Sequence, residues 1–187
     1  MAPGEGREEG GTIGLKRGTV GVVAHRGVWR QLFERERRAL RERIGPFVVD
    51  IQHVGSTAVP GLDAKPIIDI AVAIPSAEVI PQLRQPLCEL GYIDRGDAGG
   101  DGGYIFVKES APNVRTHHLH VVAIDDPQWR DYLLFRDKLR ADEALRTRYT
   151  ELKRALQERF AEDRKGYTSA KHDFIDGVHL SSGHVGE

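Results

Sequence analysis

The chain has a single cysteine, Cys88, so no intramolecular disulfide can form and nothing points to an oxidising compartment. Cys88 sits in an apolar helical stretch, where core packing is its expected role. Long apolar runs are missing as well. No window approaches the ~20 apolar residues that span a bilayer, and the N-terminus has no apolar signal region. The expectation is a cytoplasmic protein without membrane contact. Charge of one sign is absent too: 27 Lys and Arg stand against 28 Asp and Glu, which leaves no global field to draw in nucleic acid or anionic lipid. An anion site therefore has to be local. There is no internal repeat, and nothing in the sequence bears on oligomeric state.

What is present fits one domain, because 187 residues bury a core of their own but are too few for two full-sized ones. "MAPGEGREEGGTIG" at 1–14 mixes glycine and charge without apolar periodicity, and "SSGHVGE" at 181–187 reads alike; both are expected to be tails. The domain is expected to occupy 15–180. Trp29, Leu32, Phe33, Leu40 and Ile44 fall three, four or seven apart, which predicts an amphipathic helix over 27–44 ended by Gly45. "FVVDIQHV" predicts a strand over 47–54, and "PIIDIAVAI" a strand over 66–74 covered on both faces. A helix follows over 76–90, with Pro81 and Pro86 delaying its start and kinking it and Gly91 ending it. "GYI" at 91–93 opens a further strand, 94–103 reads as a flexible loop, and 104–109 with 116–124 predict an antiparallel pair. The C-terminal part reads as helical: 129–139, then 145–160, then a short segment from Thr168 to Val178 capped by Thr168.

The stretch "HVGSTAVPGLDAKPIIDI", residues 53–70, places a Gly-Ser-Thr turn between two strands and a carboxylate inside the second. Glycine lets backbone N–H groups approach a triphosphate closely, and the serine hydroxyl adds a donor. A strand carboxylate facing such a turn can hold the cation that neutralises phosphates. Asp69 carries most of this reading, since an unpaired carboxylate within an apolar strand is costly and needs a metal, a cation or strong donors.

The same stretch resembles the signature of the GrpB family, a branch of the polymerase-beta-like nucleotidyltransferase superfamily whose pattern is Gly-Gly/Ser, a spacer and Asp-x-Asp/Glu on a strand. The resemblance continues through "RTHHLHVV", "FRDKLR", "YTELKRAL" and "YTSAKHDFI", and so covers about residues 19–178. It implies an α/β (α+β) fold: a nucleotidyltransferase-like mixed sheet flanked by helices, with a helical C-terminal part. It further implies a nucleotide or phosphorylated small molecule as ligand, Mg²⁺ or another divalent cation as cofactor, and transfer of a nucleotidyl group to a small acceptor. One position departs from the pattern. Where the second carboxylate would share the strand face of Asp69 stands Ala71, and a two-metal site normally needs several carboxylates.

"HHLH" offers replacements. His118 and His120 lie two apart on a predicted strand and share a face, so with Asp69 they form a candidate catalytic and metal-binding set; the alternative is a half-exposed strand whose histidines meet solvent. His117 points to the other face. For ligand binding the candidates are His53, Gly55, Ser56, Thr57, Lys65, Arg115, Arg136, Lys153 and Lys171. Each has a plainer role open to it: His53 packing at a strand end, Ser56 and Thr57 capping a helical turn, Lys65 solvated in its turn, and the remaining cations forming salt-bridged helix faces. Three functional readings stand side by side: a metal-dependent nucleotidyltransferase, a non-catalytic ligand-binding or accessory domain, and a single-metal hydrolase built on the H-x-H pair. Fusion of GrpB-like domains to dephospho-coenzyme A kinase fits the second.

Overall fold

The computed structural model describes residues 13–98, 103–161 and 163–180. Among these, six strands form one mixed sheet, with helices on both faces. The strands are β1 (Leu15–Lys16), β2 (Asp50–Val54), β3 (Ile68–Ile74), β4 (Tyr92–Asp97), β5 (Tyr104–Ala111) and β6 (Val114–Ala123). The helices are α1 (Val28–Ile44), α2 (Ile80–Glu89), α3 (Pro127–Ala141), α4 (Glu143–Arg159) and α5 (Arg164–Leu180). The sheet runs β2-β3-β6-β5-β4, with β1 pairing the start of β6. The parallel pair at its centre is β3 with β6; all other pairings are antiparallel.

Alternation along β3 sets the two faces. Ile68, Ile70, Val72 and Ile74 join Trp29, Leu32, Phe33, Leu40 and Ile44 of α1 and Leu83 and Leu87 of α2 in the main core, as period-2 geometry requires. Ala71 and Ala73 point the other way, where Val54, Val122 and Trp129 of α3 cover them. Leu139, Leu145, Tyr149 and Val178 pack with Val59 and Leu62 and so tie the three C-terminal helices to the loop that follows β2. The core is continuous where the sequence alternates, and the fold class is the one expected.

Several expected boundaries shift for local reasons. α1 ends at Ile44, but Gly45 stays in the right-handed region and begins a 3-10 turn, Gly45–Phe47. Pro46 suits a first helical turn and lacks the N–H a ladder needs, so β2 starts at Asp50 rather than at residue 47. Residues 94–97 belong to β4 rather than to a loop, and 99–102 lie outside the described residues. The last helix starts at Arg164, so Thr168 lies inside it and does not cap it. Asp163 takes that place, accepting from the Gly166 N–H at 3.0 Å, as Asp126 and Asp142 do for α3 and α4; an aspartate at each N-cap satisfies an orphan donor and meets the positive helix end.

The expected tails at 1–14 and 181–187 fall mostly outside the described residues. Gly14 is described, and its N–H bonds to Pro66 O at 2.7 Å. Cys88 is exposed rather than packed in the core. α2 buries Leu83 and Leu87, four apart, and the residue next to Leu87 is turned about 100° away from that face. Among the described residues no helix is long and apolar enough to cross a membrane.

Candidate functional site

β3 and β6 bring the carboxylate and both histidines together. Their parallel register sets Asp69 beside His118 and Ala71 beside His120, and side chains at paired positions share a sheet face. His118 Nδ1 donates to Asp69 Oδ1 at 3.1 Å, and His120 Nε2 lies 3.8 Å from the same oxygen. Ala71 makes this possible. Buried and small, it leaves the space beside Asp69 to the imidazole of His120. A histidine from the neighbouring strand thus stands next to the position at which a second carboxylate was sought.

The turn after β2 closes on the same point. Gly55 has φ +67°, and a Cβ built on it would lie 2.7 Å from Asp69 Oδ2. Only glycine fits both demands. The next three residues, Ser56–Ala58, form a 3-10 turn, which aims the Ser56 hydroxyl at the C-terminal helices. Lys153 Nζ donates to Ser56 Oγ at 3.2 Å and to the Asp63 carbonyl, and lies 4.6 Å from the centroid of the Tyr149 ring. Lys171 and Lys65 flank the Tyr167 ring, at 5.2 and 4.4 Å from its centroid.

Between these groups lies a pocket of about 400 Å³. Gly55, Ser56, Asp69, His120 and Lys171 line it together with Tyr132 and Tyr149. The pocket sets the carboxylates of Asp69, Asp131 and Asp176 opposite the ammonium of Lys171. Burial opposes ionisation of Asp69, yet hydrogen bonds from His118 and His120 outweigh it and hold the carboxyl well below the usual carboxylate range. Lys153 is 2 % exposed. Burial, with Lys171 nearby, lowers its pKa to about 7, partly offset by Asp63. Burial raises the phenols of Tyr132 and Tyr149, so both remain neutral donors.

Asp69, His118 and His120 each offer one ligand atom within 4.8 Å of one another. Metal bonds of ~2.1 Å put tetrahedral neighbours ~3.4 Å apart, close to the two separations given above. The donors fit a divalent cation, and two imidazoles favour a transition metal over Mg²⁺, which prefers oxygen. His118 Nε2 is buried without a hydrogen-bond partner among the described residues, so Asp69 holds this ring through Nδ1.

The remaining candidates divide. Gly55, Ser56 and Lys171 gather at the pocket, and Lys153 reaches it only through Ser56, behind which it is buried. Lys65 and Arg115 line a small hollow that also touches His118. His53, Thr57 and Arg136 stand on the other side of the turn: His53 stacks on Phe33 of α1 at 4.7 Å, shares a hydrogen bond with Thr57, and is held neutral by burial, at a pKa of about 3. Arg136 pins α3 to β2 through Gln52 Oε1 and His53 O. Tyr132 and Tyr149 had no signal of their own, because helical periodicity marks an aromatic as packing whether or not its hydroxyl meets a site.

Known proteins resemble the chain along most of its length. Residues 19–180 match the model of the family described as GrpB protein. The glutamate-rich protein GrpB of Alkalihalophilus pseudofirmus is 36 % identical over 169 residues, covering 89 % of this chain and 97 % of that one. A UPF0157 protein of Pseudomonas aeruginosa is 42 % identical over 149 residues, 79 % of this chain and 61 % of that protein. The dephospho-CoA kinase of Mycobacterium leprae is 26 % identical over 181 residues, and there the match spans only 44 % of the relative. Among solved structures, the conserved protein GrpB of Enterococcus faecalis superposes with a TM-score of 0.78 at 32 % identity, over 86 % of this chain and 96 % of that one. The Cid1 poly(U) polymerase bound to MgATP gives 0.51 at 14 % identity, over 74 % of this chain and 45 % of the polymerase, a likeness of fold alone. The family model over residues 19–180 and the 36 % identical relative covered along almost its whole length place this chain in the GrpB family, with a nucleotidyltransferase-like fold.

Proposed function

We propose that the protein binds a nucleoside triphosphate, or another phosphorylated small molecule, together with one divalent cation, and transfers a nucleotidyl group to a small acceptor. The observation that supports the reading is the closure of the Gly55–Ser56 turn onto Asp69, which brings a serine hydroxyl and a strand carboxylate to one pocket, with the His118 and His120 imidazoles beside that carboxylate. Asp69, His118 and His120 would hold the cation. When bound, it supplies charge neutralisation at the phosphates and polarises the phosphorus under attack.

The chain's own residues do the rest. Ser56 and the backbone of its turn hydrogen-bond phosphate oxygens, and Lys153 and Lys171 offset the charge that develops there. Lys153 is pre-positioned by Ser56 and Asp63, so this side chain needs no further ordering to place its charge behind Ser56. Tyr132, whose ring centroid lies 5.4 Å from that of His120, holds this imidazole in place.

Calorimetric titration with ATP, CTP, GTP and UTP, with and without Mg²⁺ or Mn²⁺, tests the reading. Binding that needs the cation and is lost in Asp69→Asn supports it. If no nucleotide binds and Asp69→Asn leaves metal affinity unchanged, the reading fails. Ala71 favours a second reading, in which the domain binds the ligand without transferring it, because β3 offers no second carboxylate on the face of Asp69 to clamp two metals. Nucleotide binding without release of pyrophosphate in the presence of any acceptor distinguishes the two. Release of inorganic phosphate, dependent on His118 and His120, would instead mark a single-metal hydrolase.

A further inference from the structure

A second cleft, of about 740 Å³, lies across the Ser56–Ala58 turn from the Asp69 pocket. Its size falls within the usual range for small-molecule sites. Five arginines line it: Arg30 and Arg37 from α1, Arg136 and Arg140 from α3, and Arg146 from α4. Two carboxylates answer them, Glu34 on Arg37 at 2.7 Å and Asp137 shared by Arg136 and Arg140. Three positive charges are left over. Arg30 has no acidic partner among the described residues, and Arg146 donates to the carbonyls of Leu139 and Arg140 rather than to an acid.

Three of the arginines, Arg136, Arg140 and Arg146, are also held in place by backbone carbonyls. Arg140 donates twice to Ala58 O, through Nε at 3.0 Å and Nη2 at 2.8 Å, and Arg136 is fixed on Gln52 and His53 as described above. Burial, and then repulsion from Arg136, lowers the pKa of Arg140, with Asp137 opposing the shift. Phe33, stacked on the neutral His53, gives the cleft a flat apolar floor. A protein assembles fixed and mutually repelling guanidinium groups at a cost in stability, and an anion that pairs with them relieves it.

We propose that this cleft binds a small molecule carrying two or more phosphate charges, at a site distinct from the Asp69 pocket and independent of metal. Guanidinium forks match phosphate oxygens, and the two carboxylates at the cleft, Glu34 and Asp137, are each held by its arginines rather than grouped to take a bridging cation. The turn is the common wall. Ser56 faces one ligand, while Thr57 and Ala58 face the other.

The test is calorimetric titration of the full chain with inorganic pyrophosphate in EDTA, on the wild type and on Arg30→Gln/Arg37→Gln. Both arginines are exposed on α1, and an unchanged melting temperature verifies folding. Removing two charges is expected to weaken binding by about tenfold, while Arg30→Lys/Arg37→Lys keeps it within about threefold. Lys153→Gln and Asp69→Asn leave this binding event intact, so its fate is separate from that of the metal-dependent reading. Wild-type affinity in Arg30→Gln/Arg37→Gln, loss of all pyrophosphate binding in Lys153→Gln, or no binding to the wild type would each overturn the proposal.

Discussion

At the scale of the residue, the site depends on two groups under constraint. Gly55 is one: its positive φ and the 2.7 Å approach to Asp69 Oδ2 leave no room for a methyl group. Gly55→Ala is expected to cost ~1–3 kcal/mol in urea unfolding and to lower metal affinity, because Asp69 must move. An alanine variant that unfolds like the wild type and binds metal equally well would contradict this. Lys153 is the other. With its pKa near 7, it is charged below that pH and neutral above it, so phosphate-ligand affinity should fall as pH rises through 7. Lys153→Arg, charged throughout, should flatten the profile of Kd against pH.

At the scale of the element, α4 matters because it carries Tyr149 and Lys153 to the Ser56 turn. Its first turn rests on Asp142, whose carboxylate accepts from Leu145 N–H at 2.9 Å. Asp142→Ala should cost ~1 kcal/mol and weaken ligand binding without touching the pocket, while Asp142→Asn keeps the cap and most of the stability. Thermal melting and titration of the two variants side by side check this. The strands were easier to foresee than their partners. Periodicity gave β3 and β6 their faces, so a shared face for His118 and His120 could be read directly. Their adjacency to Asp69 could not, since the parallel pairing of β3 with β6 skips over β4 and β5 and has no local signature. Capping showed the reverse failing: Thr168 looked like a start signal, yet Asp163, five residues earlier, captured the free N–H of Gly166 in the first turn.

At the scale of the whole molecule, burying a neutral imidazole links stability to pH. The pKa of His53 falls from 6.5 to about 3 on folding, so between these values the unfolded chain binds a proton that the folded chain does not. Stability from this group is complete above pH 6.5 and declines as pH drops towards 3, with a slope approaching ~1.4 kcal/mol per pH unit. His53→Leu should remove that part of the acid sensitivity in melts taken from pH 7 to 4, and an unchanged slope would refute the assignment. The C-terminal helices join the same balance: Arg154 bonds Asp63, and Gln157 Oε1 accepts from Val22 N–H at 2.8 Å, so the part that covers the pocket is fastened to the loops around the sheet.

The sequence alone determined the faces of α1, β3 and β6, the Gly-Ser turn and the isolation of Asp69, because period, turn chemistry and the cost of a buried carboxylate act over a few residues. Tertiary structure alone decided which groups meet. It set His120 beside Ala71, seated Lys153 on Ser56 from 97 residues away, and turned His53, Thr57 and Arg136 towards a separate arginine-lined cleft. Such contacts arise from strand order and helix docking, which sum many weak long-range terms, and no short stretch of the chain carries them.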